Sequence, residues 1–103
     1  MENNLNLVKN SFKELPNNIE AEQSVIGSIL VSNEIFDEIN TIISNQNFFD
    51  PMHQKIFNSI ESLIYKGMLA NPITLKNYFK DEKDDLNIPE YLVKITKFST
   101  STR

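Results

Sequence analysis

The sequence predicts an all-α fold, a compact bundle of five to six short helices in a single domain. Apolar residues recur at helical spacing in several separate segments, and most of these segments begin at Asn, Ser, Asp or Pro, which are the residues typical of helix starts. The chain has 103 residues, of which 40% are hydrophobic, and it has no cysteine. A chain of this size buries one core, so we expect it to fold without metal or disulfide support.

The first helix is predicted to begin near residue 18. Pro16 disfavours helical geometry at Leu15, Asn17 is the expected N-cap, and the carboxylate of Glu20 in the first turn favours the positive end of the helix dipole. We interpret Glu22 as a second first-turn charge, because side chains two positions apart on a helix point about 200° apart and do not form an acid–base pair. The expected buried face consists of Ala21, Val25, Ile26, Ile29 and Leu30.

Gly27 lies inside this first helix. A glycine in a helix interior costs about 1 kcal/mol relative to alanine. The sequence therefore predicts that a neighbouring helix approaches closely at Gly27, where no Cβ intervenes.

Two further helices are predicted in the middle of the chain. Ser32 or Asn33 is the expected cap of the second helix, whose apolar face would consist of Ile35, Phe36, Ile39, Ile42 and Ile43. A loop over residues 44–47 follows. Asp50 and Pro51 supply a cap and a proline at the first position of the third helix, and Gly67 marks its end.

The last third of the chain is predicted to hold a short helix and a longer one. Thr74 is the expected cap of the short helix, and residues 81–85 form a charged connector. The final helix is predicted to begin at Pro89, with Tyr91, Leu92, Ile95 and Phe98 on one side. We therefore expect a flexible arm over residues 1–14, a helical domain over residues 15–98, and a tail that frays from Ser99.

No residue pattern points to catalysis or cofactor binding. The two glycines are far apart, which excludes a phosphate-binding loop, and His53 is the only histidine. We expect His53 to be structural, with its imidazole bonded to a backbone carbonyl near the start of the third helix. The alternative of a small hydrolase would require a site in which His53 lies beside a carboxylate and a hydroxyl.

Three aromatic residues are candidates for contact with a partner. Phe48 and Phe49 are adjacent in a loop, so both cannot easily point into the core. We expect one to be buried, and the other is a candidate for an interface, although the interpretation that both are buried is favoured. Tyr91 combines apolar area with a polar tip, which suits an interface, although its neighbours Leu92 and Ile95 favour core packing.

Charge and hydropathy limit the classes of partner. The net charge is −4, and Lys and Arg form no dense cluster, so any contact with DNA is expected to be weak. A small helical DNA-binding regulator is the alternative function, but it would need a helix that presents basic phosphate anchors. No apolar run approaches the roughly 20 residues of a membrane span, and we expect a soluble cytoplasmic protein.

Three segments in register resemble the amino-terminal domain of the bacterial replicative DNA helicase of the DnaB type. Residues 18–30 (NIEAEQSVIGSIL) after Pro16 resemble the family's first helix, residues 48–60 (FFDPMHQKIFNSI) its aromatic and histidine segment, and residues 71–79 (NPITLKNYF) its segment centred on threonine. The order and spacing of the three segments agree with the family as well. The resemblance covers roughly residues 15–95.

The resemblance implies a protein-interaction domain without enzymatic activity of its own. In this family the amino-terminal domains associate in pairs to form a collar on the hexameric helicase, and the collar contacts the C-terminal domain of primase. ATP and Mg²⁺ bind in a RecA-like ATPase domain, so the resemblance implies no cofactor for this domain and an ATP-dependent 5'-3' DNA helicase for the full-length protein. Because the family continues beyond the position of Arg103 into a helical hairpin, we expect this chain alone to be a monomer or a weak dimer.

Overall fold

The computed structural model describes residues 18–79 and 87–101, which form five α-helices and three 3₁₀ turns with no β-strand. The helices are α1 (Ile19–Val31), α2 (Phe36–Asn40), α3 (Pro51–Tyr65), α4 (Pro72–Leu75) and α5 (Ile88–Ser101). The 3₁₀ turns are Asn33–Ile35, Asn45–Asn47 and Lys76–Phe79. The all-α prediction is thus confirmed, whereas the arm over residues 1–14 and the connector over residues 81–85 lie outside the described residues.

Helix α1 begins one residue later than predicted. Its N-cap is Asn18, whose side-chain oxygen accepts a hydrogen bond of 3.0 Å from the backbone N–H of Ala21. The sequence contains two adjacent asparagines and we assigned the cap to Asn17, which lies outside the described residues. Glu20 is therefore the second helical residue, and it is exposed in the first turn as expected.

Helices α1 and α5 pack against each other at Gly27. A Cβ added at Gly27 would collide with the side-chain oxygen of Ser99, and it would lie 2.9 Å from Cγ2 and 3.1 Å from the carbonyl oxygen of Ile95. The predicted close approach of a neighbouring helix is confirmed, and the neighbour is α5. All five apolar residues expected on the inner face of α1 are buried.

The second helix is shorter than the sequence predicted. A 3₁₀ turn precedes α2, which ends at Asn40, and Ile42 is 49% exposed rather than part of the core. Neither of the expected caps acts as one: Ser32 makes no capping bond, and the side chain of Asn33 is bonded instead to both backbone groups of Ala70. This tertiary contact takes the place of the local cap, so the segment does not form one regular helix.

Helix α3 has the boundaries that its sequence predicted. Asp50 is the N-cap and accepts a hydrogen bond of 2.8 Å from the backbone N–H of Met52, and Pro51 is the first helical residue. Gly67 follows the helix with a φ of +77°, a left-handed conformation that favours glycine. The aromatic core is built around α3, where the ring of Phe57 lies 5.4 Å from that of Phe36 and 5.2 Å from that of Phe48.

Helices α4 and α5 differ in detail from the prediction. Asn71 caps α4 by accepting bonds from the N–H groups of Ile73 and Thr74, and the Thr74 hydroxyl reciprocates by accepting the N–H of Asn71. Thr74 is therefore part of a capping box and not the N-cap itself. In α5, Ile88 precedes the predicted start at Pro89, and helical backbone extends to Ser101, beyond the Ser99 at which the sequence predicted fraying.

The side chain of Phe98 also differs from the prediction. It is 59% exposed, whereas Leu92 and Ile95 are buried on the inner side of α5. None of the helices in the described part of the chain is both long and apolar enough to cross a membrane.

Replacing Gly27 by alanine tests the contact between α1 and α5. Alanine improves helix propensity by about 1 kcal/mol, but the crowding against Ile95 and Ser99 costs about 1–3 kcal/mol, so we expect a net loss of stability. Urea unfolding followed by circular dichroism measures this difference. Ser28→Ala, one residue away on α1, is the matched control and should be neutral or slightly stabilising; a more stable Gly27→Ala variant would contradict the close packing.

Candidate interaction surface

A buried polar chain links three helices beneath the loop that holds Phe49. The carboxylate oxygen Oε1 of Glu22 on α1 lies 2.7 Å from Nδ1 of His53 on α3, and Nε2 of His53 lies 2.6 Å from the hydroxyl of Tyr91 on α5. Gln23 donates a hydrogen bond of 3.0 Å to the same hydroxyl. The side chains of Glu22 and His53 are fully buried, and Tyr91 is partly buried.

The hydrogen bonds that link Gln23, Tyr91, His53 and Glu22 are consistent in direction from one end to the other. Gln23 donates to the Tyr91 oxygen, the Tyr91 hydroxyl donates to Nε2 of His53, and Nδ1–H of His53 donates to the Glu22 carboxylate. This assignment gives both ring nitrogens of His53, the Tyr91 hydroxyl and the Glu22 carboxylate a partner. In the described residues no buried side-chain nitrogen or oxygen lacks one.

Glu22 also fixes the backbone that leads into α3. Its Oε2 accepts the N–H of Phe49 at 2.6 Å, and its Oε1 accepts the N–H of Asp50 at 3.3 Å. Gln54 on the first turn of α3 donates a further hydrogen bond of 2.7 Å to the carbonyl of Phe48. The corner formed by residues 48–50, which we call the Phe49 corner, is therefore anchored through backbone groups on both sides.

This anchoring separates the two adjacent phenylalanines. Phe48 is 1% exposed, and its ring packs edge-on to that of His53 at 6.4 Å. Phe49 points outward and is 62% exposed. A large aromatic side chain on a fixed backbone is well suited to a protein contact, because little conformational entropy is lost when it is covered.

Tyr91 differs from the other two aromatic candidates because it is part of the buried chain. Its ring lies nearly parallel to that of His53, with centroids 5.9 Å apart and planes 16° apart. Burial raises the pKa of the Tyr91 phenol above its usual value, the nearby carboxylates of Asp50 and Glu22 add to this effect, and the hydrogen bond from Gln23 opposes it. The phenol is consequently a protonated hydrogen-bond donor at neutral pH.

His53 lies beside a carboxylate and a hydroxyl, the combination that we set as the requirement for a hydrolase. Catalysis would require a substrate to reach the imidazole, and the Glu22 carboxylate beside it already holds two backbone N–H groups. His53 itself is fully buried. Our expectation that His53 bonds a backbone carbonyl was wrong, because its two ring nitrogens are bonded to the Glu22 carboxylate and the Tyr91 hydroxyl.

Glu22 is the residue of this site that the sequence analysis misinterpreted. We read it as a first-turn charge, whereas its side chain is buried and holds three donors. A signal was present in the sequence, since Glu22 is in helical register with Val25, Ile26 and Ile29 on the apolar face. A carboxylate at such a position requires buried donors, which here are two backbone N–H groups and the imidazole of His53.

The site offers no set of metal ligands. Within residues 18–79 and 87–101, no group of three or more His, Cys, Asp or Glu side chains is arranged to hold an ion. The carboxylate and the imidazole that do meet are bonded to protein donors and acceptors.

Glu22→Gln tests the carboxylate at the centre of the site. The amide retains the shape but removes the buried charge that binds two backbone N–H groups and the imidazole, so we expect a loss of about 3 kcal/mol in the free energy of unfolding. Glu20→Gln, in the same helical turn but exposed, is the control and should change it by less than about 0.5 kcal/mol. Equal effects of the two substitutions in urea unfolding would show that Glu22 is not structural.

A spectrophotometric titration of the three tyrosines tests the environment of Tyr91. The hydrogen bond with Ser62, together with nearby Lys66, lowers the pKa of Tyr78, whereas burial raises that of Tyr91, so Tyr78 should ionise before Tyr91. Because the folded-state pKa of Tyr91 lies above the unfolded value of about 10, the protonated phenol contributes fully to the free energy of unfolding below about pH 10. That contribution is lost as the pH rises through the folded-state pKa.

Tyr91→Phe should therefore remove the later ionisation step and part of the stability loss above about pH 10. Tyr78→Phe is the control and should remove the earlier step instead. Tyr91 ionising before Tyr78 would contradict the burial of the Tyr91 phenol.

The sequence of this chain is similar to those of a family of known proteins. A family model described as the DnaB-like helicase N terminal domain matches residues 14–103. Proteins named replicative DNA helicase DnaB are similar to this chain: that of Rickettsia typhi is 36% identical over 105 residues, which cover 94% of this chain and 21% of the relative. That of Rickettsia felis is 38% identical over 87 residues, which cover 82% of this chain and 18% of the relative.

A third relative of the same name, from Buchnera aphidicola, is 37% identical over 91 residues, which cover 86% of this chain and 20% of the relative. The chain thus spans about a fifth of the length of the curated relatives it matches. No solved structure matches it. These findings confirm the resemblance drawn from the sequence, and the chain belongs to the DnaB-like helicase N-terminal domain family.

Proposed function

We propose that this chain is a protein-interaction domain that supports assembly of the collar of a hexameric replicative helicase and binds the C-terminal domain of primase. Membership of the family supports the proposal. The observation that carries it is the Phe49 corner, where an exposed aromatic side chain stands on a backbone fixed by the buried Glu22 carboxylate. Aromatic side chains on rigid supports are the typical anchors of protein interfaces.

The chemistry of the Phe49 corner favours a protein partner over a small molecule or DNA. Phe49 projects from the surface and would fill a pocket on its partner. The charge of −4 disfavours a phosphate backbone, so DNA contact through this domain is weak or absent in our proposal. The work of the domain is then to couple the helicase to primer synthesis through protein contacts.

The chemical steps of unwinding belong elsewhere in this proposal. ATP and Mg²⁺ act in a RecA-like ATPase region that this match does not cover, so the domain itself takes no cofactor. The setting is the bacterial cytoplasm, where replication takes place. Pairing of these domains within the collar depends in part on the hairpin that follows in the family, so we expect the 103-residue chain alone to be a monomer or a weak dimer.

Phe49→Ser tests the proposed contact with primase. We expect the 103-residue chain to bind the C-terminal domain of primase from the same organism, and the substitution to weaken binding at least about tenfold, because interface aromatics contribute about 2 kcal/mol or more. Isothermal titration calorimetry measures both. Phe98→Ser is the matched control, since Phe98 is 59% exposed on α5, and it should leave the dissociation constant unchanged.

The same titration can contradict the proposal in two ways. No binding of the unsubstituted chain, repeated with a longer chain that includes the hairpin, would refute primase recognition by this domain. Equal weakening by Phe49→Ser and Phe98→Ser would refute the role of the Phe49 corner. Sedimentation over a range of concentrations tests the collar contact separately, because self-association can be present whether or not primase binds.

A further inference from the structure

A second exposed apolar surface lies at the other end of α3. Leu69 is 62% exposed and Ile73 is 78% exposed, and Tyr65 and Met68 are exposed as well. These four residues fall within residues 65–73, from the last residue of α3 to the first turn of α4. Such an apolar concentration on a small domain is typical of a binding surface.

The backbone that presents this surface is fixed. The N–H of Gly67 donates to the carbonyl of Ile64 and the N–H of Met68 donates to that of Leu63, both at 2.9 Å, which is the hydrogen-bond pattern of a Schellman motif. The turn therefore directs the chain away from the helix in one defined conformation, with Gly67 at positive φ.

Two side chains then hold the segment that follows. The Asn33 amide accepts the N–H of Ala70 at 2.8 Å and donates to its carbonyl at 3.1 Å, and the Thr74 hydroxyl donates to the carbonyl of Leu69 at 2.8 Å. Ala70 is fully buried, so Leu69 beside it is held outward. The exposure of Met68 and Leu69 is a consequence of this fixed geometry and not of a loose loop.

A groove runs between this segment and the start of the second helical region. It is shallow, and its lining includes the apolar side chains of Ile64, Met68 and Leu69 and the carboxylates of Glu34 and Asp37. The two carboxylates are three positions apart, on the same side of their helical segment, and both are exposed. We call this feature the acidic groove.

The charge of the acidic groove is not neutralised within the described residues. Neither Glu34 nor Asp37 forms an ion pair there. The nearest lysine in sequence to Met68 is Lys66, and its ammonium group is directed to Tyr78, 3.3 Å from the hydroxyl and 5.7 Å from the ring centroid. Within residues 18–79 and 87–101, the apolar side chains of the acidic groove thus lie beside two carboxylates that form no ion pair.

We infer that the acidic groove binds a cationic amphipathic segment of a partner protein. Apolar side chains of that segment pack on Ile64, Met68 and Leu69, and its Lys or Arg side chains pair with Glu34 and Asp37. Methionine and leucine adapt to varied apolar shapes, and the carboxylates set the orientation of the bound segment.

Charge disfavours the other occupants of the acidic groove. A second copy of this chain carries the same net charge of −4, which opposes its approach to the two carboxylates. Nucleic acid and anionic membranes would be repelled by the same carboxylates. A basic protein segment is the occupant that satisfies both the apolar and the charged sides.

This surface is separate from the Phe49 corner. The two lie at opposite ends of α3, a helix of 15 residues and therefore about 22 Å long. The inference does not rest on the proposed function, because primase binding is tested with Phe49→Ser and the acidic groove with substitutions at its own residues. Either the primase contact or the acidic groove can thus be refuted while the other stands.

The test uses a fluorescently labelled synthetic peptide in which Leu recurs at helical spacing and Lys fills the other positions. A second peptide, in which every Lys is replaced by Glu, is the matched control. We expect fluorescence anisotropy to show binding of the Lys peptide to the 103-residue chain, no binding of the Glu peptide, and weaker binding as salt is raised.

Substitutions then locate the peptide on the domain. The pair Glu34→Lys and Asp37→Lys should weaken binding about tenfold, because two attractive contacts become repulsive, and Leu69→Ser should also weaken it about tenfold through lost apolar contact. The matched controls are the pair Glu20→Lys and Glu38→Lys, which are exposed carboxylates outside the acidic groove, and Ile42→Ser, an exposed apolar residue outside it. These controls should change the affinity by less than about twofold.

Three outcomes would overturn the inference. One is the absence of Lys-peptide binding to the unsubstituted chain. The second is equal weakening by groove and control substitutions, which would indicate general attraction to an acidic protein. The third is a dimer in sedimentation that Leu69→Ser abolishes, which would assign the surface to self-association. All substituted residues are exposed, and unchanged circular dichroism would exclude unfolding as the cause of an effect.

Discussion

The buried carboxylate of Glu22 joins helix α1 to the start of α3 and to the corner before it. A charge removed from water must be matched by donors, and here the donors are the imidazole of His53 and the N–H groups of Phe49 and Asp50. These donors come from the start of α3 and from the corner before it, while the carboxylate comes from α1. Satisfying one charge thus fixes where the chain enters α3 and which of two phenylalanines is buried.

The same constraint extends to the interface between α1 and α5. Tyr91 is bonded to His53 and to Gln23, and Ile95, one turn further along α5, packs against Gly27 on α1. Along α1 and α5, the hydrogen bonds of Tyr91 are therefore followed by a close approach of the two helices at Gly27, which has no Cβ. The polar contact sets the register of the two helices, and the glycine allows them to approach once the register is set.

The sequence predicted those structural features whose cause lies in neighbouring residues of the chain. The boundaries of α3 follow from Asp50, Pro51 and Gly67, and the apolar face of α1 follows from its spacing. Gly27 also predicted its close contact, although not that the partner would be α5. Each of these features depends on the conformational preference of one residue or on a regular period, and both can be read from the chain itself.

The features that the sequence did not predict depend on partners far along the chain. Glu22 meets His53 across 31 positions, and Asn33 meets Ala70 across 37, so neither the buried carboxylate nor the shortened second helix has a local cause. The cap at Asn18 was missed for a different reason, because two adjacent asparagines have the same capping chemistry. The exposure of Ile42 and Phe98 follows from where helices end and from which neighbours cover them, which helical periodicity alone does not specify.

Both proposed surfaces use a fixed backbone to hold apolar side chains in water, and the Phe49 corner depends directly on Glu22. Amide hydrogen exchange at Phe49, followed by nuclear magnetic resonance, tests this most directly. The account predicts slow exchange of the Phe49 N–H, comparable to that of core residues of α3, even though the Phe49 side chain is exposed. Exchange at the rate of an unprotected loop would contradict it, because the carboxylate of Glu22 would then not hold the corner.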